Sequence, residues 1–143
     1  MDDLYHPRIM ELAADIPHVG RLDAPDGAAT KVSRVCGSVV TVELALKDGL
    51  VSDVAVHPKA CALGQAATGV FAMHAIGATP KEIRDARDAL RAMLKGEGTP
   101  PTGRFWELRH LEGVRDYPAR HASTMLAFDA AVEALEQAQK KAA

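Results

Sequence analysis

The chain is expected to fold as an α+β domain: a three-stranded antiparallel sheet near the N-terminus, packed against about four to five helices. Three observations predict this. The β-patterned runs all fall between residues 28 and 56. The helical patterns follow as a block, so strands and helices do not alternate as a parallel βαβ sheet would require. With 143 residues, the chain is long enough to bury one core and is read as one domain, 1–143.

Taken in order, residues 4–14 carry apolar side chains at Leu4, Ile9 and Leu12 with Pro7 near the start, a short helix at most. Residues 15–27 are dense in Pro, Gly and Asp and form a loop. Ala28 to Val35 has β-branched, alternating character and makes a first strand. Val40, Val42, Leu44 and Leu46 then share one face while Thr41 and Glu43 point to the other, the period of a half-buried strand. Lys47-Asp48-Gly49 supplies a tight turn, and Leu50 to Val56 returns. The sheet should therefore have one buried and one polar face.

After His57-Pro58-Lys59 the pattern becomes helical. Cys61 to Ile76 is rich in small residues, with Leu63, Val70, Phe71, Met73 and Ile76 as its larger members, and Gly77 ends it. Thr79-Pro80-Lys81-Glu82 opens the next helix with an N-cap, a proline at the first position and a capping-box glutamate. Ile83, Ala86, Leu90, Met93 and Leu94 form its stripe. Its charges (Glu82, Arg84, Asp85, Arg87, Asp88, Arg91) recur at three and four and read as a solvated, mutually paired face. Residues 96–103 form a loop. A short helix over Phe105 to Leu111, a turn, and a last helix from about Pro118 to Ala138 complete the chain, with residues 139–143 fraying.

Charge is nearly balanced, at a formal net −2, so no basic field for nucleic acid exists. No apolar run approaches the ~18 residues of a membrane span. The start, M-D-D-L-Y-H-P, lacks the basic-then-apolar order of a signal peptide. The sequence reads as cytoplasmic, where thiols stay reduced. Neither a P-loop nor a dinucleotide fingerprint occurs.

That leaves the two cysteines as the chemistry. Cys36 sits in R-V-C-G-S, a break between β-patterned runs; Cys61 opens the small-residue helix, where the positive end of the helix dipole favours thiolate. Two thiols are fewer than a closed metal site needs.

In the order and spacing of its motifs, the chain resembles the NifU/IscU/SufU family of iron–sulfur cluster assembly scaffolds. Tyr5-His6-Pro7 leads to P-H-V-G at 17–20, then C-G-S at 36–38, a hairpin, A-C-A-L-G-Q-A-A-T at 60–68, T-P-K-E at 79–82, and P-A-R at 118–120 with Leu126 beyond. The resemblance implies a SufE/NifU-like fold and a site of three cysteines and an aspartate. Carried over, Cys36 is the first cysteine, Ser38 stands at the aspartate position, Cys61 is the second cysteine, and Ser123 stands at the third. His121 flanks that last position and is a candidate third metal ligand beside Cys36 and Cys61, since imidazole suits iron or zinc.

The resemblance implies a non-enzymatic scaffold or carrier that binds iron or a labile iron–sulfur cluster through Cys36 and Cys61 and passes it to apo-proteins. A cysteine desulfurase and recipient apo-proteins would be its partners, with a homodimer as a further option. Two alternatives stand beside it. One is a cluster-free descendant acting as a docking or regulatory module; the other is a zinc-dependent sulfur-transfer accessory. Ser38 and Ser123 lack a neighbouring base in sequence, so a serine hydrolase is not expected.

Overall fold

A computed structural model describes residues 4–142; Met1–Asp3, which carry the acidic start of the chain, and Ala143 lie outside it. The order is helix α1 (Pro7–Ala14), strands β1 (Gly27–Val32), β2 (Val39–Lys47) and β3 (Leu50–Lys59), helices α2 (Ala62–His74) and α3 (Pro80–Leu94), a 3₁₀ segment (Gly103–Asp116), a single 3₁₀ turn (Pro118–Arg120), and helix α4 (His121–Ala142). The sheet is antiparallel in the order β1-β2-β3, as the sequence predicts.

The hairpin forms because Asp48 and Gly49 both adopt positive φ, 55° and 79°, the pair that a two-residue turn matching strand twist demands. Pairing of Val39 with Lys59 closes the far end of the β2–β3 ladder, and this is the end that carries the cysteines. α4 lies across β1 and β2, α2 packs against both α4 and α1, and α3 packs against α4. Phe71, Phe105 and Phe128 meet at the centre: Phe128 stands edge-on to both others, at 5.6 and 5.4 Å between ring centroids. Thr79 and Glu82 form the reciprocal capping box that their spacing predicts.

Two expectations are corrected and one is refined. The sheet's second face is not uniformly polar, because Glu43 is buried. Its carboxylate accepts from Arg21 Nε at 2.7 Å and from the Leu22 amide at 2.8 Å, so it pins the loop before β1 onto the sheet. The short helix predicted over Phe105 to Leu111 forms as 3₁₀ turns that run on to Asp116, broken at Phe105, whose φ and ψ of −99° and 33° are not helical. Phe105, Leu108, Leu111 and Val114 are all buried, and beyond the break at Phe105 a spacing of three keeps Leu108, Leu111 and Val114 on one face with three residues per turn. Finally, α4 does not fray after Ala138. Lys141 pairs with Asp26 at 3.2 Å, and Gln139 accepts from Arg84, which tie the last turn down.

At the end of the molecule that carries α1 and the C-terminus of α2, Glu107 is buried between Arg8 and His74. Arg8 Nη2 lies 2.8 Å from Oε1 of Glu107 and His74 Nε2 lies 3.3 Å from Oε2. Burial pushes the Glu107 carboxyl up, but the hydrogen bonds from His74 and Arg8 prevail and hold it below the ordinary 4.5. Arg8→Ala is therefore expected to cost about 2–3 kcal/mol by leaving that carboxylate half-paired. Because the folded pKa is depressed, the stabilisation is present above pH 4.5 and is lost as pH falls through the lower folded value. Urea titrations of the two proteins should converge in acid; an equal gap at all pH values would assign the loss to packing alone.

Candidate functional site

Cys36 lies in the turn between β1 and β2. That turn is closed by the Ser33 amide on the Ser38 carbonyl and the Gly37 amide on the Ser33 carbonyl, each at 2.8 Å. Gly37 takes φ 71°, which a residue with a Cβ rarely adopts. The turn leaves Cys36 exposed and folds two hydroxyls around its sulfur: Ser38 Oγ at 3.0 Å and Ser33 Oγ at 3.5 Å.

Cys61 is the N-cap of α2 and is half-buried. The amides of Leu63 and Gly64 lie near its sulfur and favour the thiolate, although neither closes a cap hydrogen bond of ordinary geometry. Ser38 ties the two cysteines together, since its hydroxyl also accepts from the Cys61 amide at 3.4 Å. Ser123, on the first turn of α4, completes the group with Oγ 3.4 Å from Cys61 Sγ. Ser123 is fully buried, and its hydroxyl donates to the Arg120 carbonyl at 3.1 Å. α4 approaches this closely because Gly64 faces Ser123: a Cβ at Gly64 would lie 3.0 Å from the Ser123 carbonyl oxygen.

The fold thus gathers Cys36, Ser38, Cys61 and Ser123, the four positions singled out by the family resemblance. It does not gather His121. Nε2 of that ring lies 3.0 Å from the Val114 carbonyl oxygen and 3.1 Å from that of Arg115, so it donates to the end of the 3₁₀ segment. Among the described residues, no three His, Cys, Asp or Glu side chains are placed to hold a metal ion. His57 is exposed on β3. Ser33 was not anticipated; the S-x-x-C spacing across a turn is the signal that could have found it.

Both thiols are more acidic than usual. The Ser38 hydroxyl, and after it Ser33, bring Cys36 down to about 7. At Cys61 burial opposes ionisation, yet the Ser123 hydroxyl and the two helix amides outweigh it, and the thiol still falls below its ordinary value. A charge on Cys36 pushes Cys61 back up, so Cys36 ionises first. Alkylation of Cys36 by iodoacetamide should be half-maximal near pH 7, and Ser38→Ala should move the midpoint up towards 9.0. An unmoved midpoint would remove Ser38 from that role.

Residues 4–143 match the family model of the NifU-like N-terminal domain. The iron–sulfur cluster assembly scaffold protein IscU of Thermotoga maritima is 25% identical over 134 residues, 94% of each chain. That of Streptococcus pyogenes is 23% identical over 137 residues, 96% of this chain and 86% of the other. The crystal structure of a nitrogen-fixing NifU-like protein (N-terminal) from Brucella abortus has a TM-score of 0.95 at 51% identity, covering 98% of this chain and 97% of that one. The Brucella structure shares the fold of this chain over nearly its whole length, the frame that carries the thiol end described above. This chain belongs to the NifU-like N-terminal domain family.

Proposed function

We propose that this protein is a carrier in iron–sulfur cluster assembly: it takes iron or a nascent cluster on Cys36 and Cys61 and releases it to apo-proteins. One observation carries the reading. Two acidified thiols sit together at one end of the sheet, each within 3.4 Å of a hydroxyl that stands where the family places another ligand. The scaffold relatives from Thermotoga and Streptococcus support the same direction. The cargo is substrate here, handed on without turnover.

The donor set suits loose holding. Thiolates bind iron strongly, whereas a neutral hydroxyl does not ionise near neutral pH and binds it poorly. Two strong donors instead of four leave the cargo easy to remove, and exposure of Cys36 gives a recipient thiol access to it. A cysteine desulfurase would supply the sulfur. The thiols must stay reduced, which fits a cytoplasmic setting; among the described residues no helix is long and apolar enough to cross a membrane.

Anaerobic incubation with iron and sulfide tests the reading. The wild type should gain visible absorption together with bound iron and acid-labile sulfide, and Cys36→Ser and Cys61→Ser should each lose them. A colourless wild-type protein that still binds a cysteine desulfurase would replace the carrier with the docking module. Stoichiometric zinc in the purified protein would favour the sulfur-transfer accessory.

A further inference from the structure

Cys36 and Cys61 share neighbours but differ in access. The ladder of β2 and β3 ends at the pairing of Val39 with Lys59, so the turn before β2 and the chain after β3 leave the sheet side by side. Cys36 stands on the first of these segments and Cys61 on the second. Ser38 touches both, with its oxygen 3.0 Å from Cys36 Sγ and 3.4 Å from the Cys61 amide nitrogen. The Ser123 hydroxyl also acts on both: it lies 3.4 Å from Cys61 Sγ and is among the groups that favour the Cys36 thiolate. Two sulfurs reached by one hydroxyl are no more than about 8 Å apart, twice a long hydroxyl–sulfur contact.

A disulfide needs Cβ atoms about 3.8 Å apart, so closing the gap asks one segment to shift. Cys61 is anchored at the start of a 13-residue helix, with Leu63 and Gly64 buried behind it. Cys36 stands in an exposed turn closed by its own hydrogen bonds, from Ser33 to Ser38 and from Gly37 to Ser33. That turn can swing as a unit.

We infer that the two thiols form a peroxide-reactive pair: Cys36 is oxidised first, and Cys61 resolves it to an intrachain disulfide. The inference rests on the carrier reading for its consequence, because one disulfide withdraws both cargo thiolates from the empty protein. The two roles follow from the two environments. Cys36 meets solvent, and the Ser38 and Ser33 hydroxyls, 3.0 and 3.5 Å from its sulfur, can donate to a thiolate there. This thiolate attacks one oxygen of hydrogen peroxide and the O–O bond breaks. The other oxygen leaves as hydroxide and takes a proton to become water, and Cys36 is left as a sulfenic acid. Cys61 then attacks the Cys36 sulfur, the S–O bond breaks, and the departing hydroxide leaves as water with the proton that Cys61 gives up. Together the two thiols lose two electrons and two protons, and one peroxide becomes two waters. With two cysteines in the chain, only one intrachain pairing exists.

The test treats dilute, fully reduced, metal-free protein with hydrogen peroxide. The expected product is a monomer lighter by two hydrogens, with Cys36 linked to Cys61 in the peptide map, and dithiothreitol should restore both thiols. Cys61→Ala should stop at a Cys36 sulfenic acid, captured by dimedone and read by mass spectrometry. Cys36→Ala should lose its remaining thiol about tenfold more slowly than the wild type loses Cys36. Chains joined through Cys36, or a Cys36 sulfinic acid beside an intact Cys61 thiol, would overturn the pairing. Equal oxidation rates in the two variants would overturn the order of attack.

Oxidised and re-reduced samples are then offered ferrous iron alone, because sulfide would itself cleave a disulfide. Iron should stay with the re-reduced protein and not with the oxidised one; equal retention would overturn the consequence for cargo. Failure of the fully reduced protein to gain a cluster from iron and sulfide would overturn the carrier reading and leave the disulfide standing.

Discussion

The double variant Ser38→Asp/Ser123→Cys is expected to bind one zinc ion per chain far more tightly than the wild type. The two substitutions would place a carboxylate near Cys36 and a third thiol near Cys61, at positions where Ser38 Oγ and Ser123 Oγ already lie 3.0 and 3.4 Å from the sulfurs. A tetrahedral zinc site wants four such donors. A full set gives about 10–16 kcal/mol, so each donor contributes roughly 3 kcal/mol and two added donors tighten zinc by about four orders of magnitude. Competition against a chromophoric chelator measures the change. Cysteine differs little from serine in size at the buried position 123, whereas aspartate at 38 must displace the hydrogen bond to the Cys61 amide. Ser123→Cys alone should therefore deliver about half of the gain. Wild-type zinc affinity in the double variant would mean that the four positions do not converge as described.

The second large effect concerns the frame that holds Ser123 in place. Gly27, the first residue of β1, passes so close to α4 that a methyl group there would overlap the Ala134 carbonyl. Relief requires one backbone to move from the other, because no flexible side chain is available to yield. Gly27→Ala is expected to cost about 3 kcal/mol, at the upper end of overpacking effects, and to lower Tm by about 10 °C. Thermal unfolding checks this. A shift of a degree or less would show that β1 and α4 can part without loss. The variant should also move the alkylation of Cys61 to higher pH, since α4 carries the hydroxyl that favours its thiolate.

Much of this frame is legible in the residues themselves. Alternation in β2, the Asp48-Gly49 turn and the Thr79–Glu82 box are local signals, and local physics decides them. Glu43 was misread because alternation reports which face a side chain takes, not whether a distant loop will cover that face; Arg21 and Leu22 supply the cover. The helix after Gly103 is legible as a helix but not as a 3₁₀ one, because spacings of three also occur within the helical stripe of α3. Only their repetition through Leu108, Leu111 and Val114 favours three residues per turn over 3.6.

At the site, the sequence alone marks Cys36 and Cys61 as chemically apt but places them 25 residues apart with no stated relation. Resemblance of motif order joins them to Ser38 and Ser123, and the structure gathers those four. His121 illustrates the limit of adjacency. Two positions from Ser123, it turns to the carbonyls that end the 3₁₀ segment, since residues two apart on a helix point to different sides. Ser33 shows the opposite case, a residue outside the family's ligand pattern that the turn folds onto the Cys36 sulfur.

The central claim is that Cys36 and Cys61 together hold the iron–sulfur cargo. Thiol footprinting tests it most directly: alkylate the empty and the cluster-loaded protein anaerobically, and read the label at each cysteine by mass spectrometry. The account predicts rapid labelling of Cys36 and slower labelling of half-buried Cys61 in the empty protein, with both blocked on loading. Labelling of either cysteine at its empty-protein rate while iron and sulfide remain bound would contradict it.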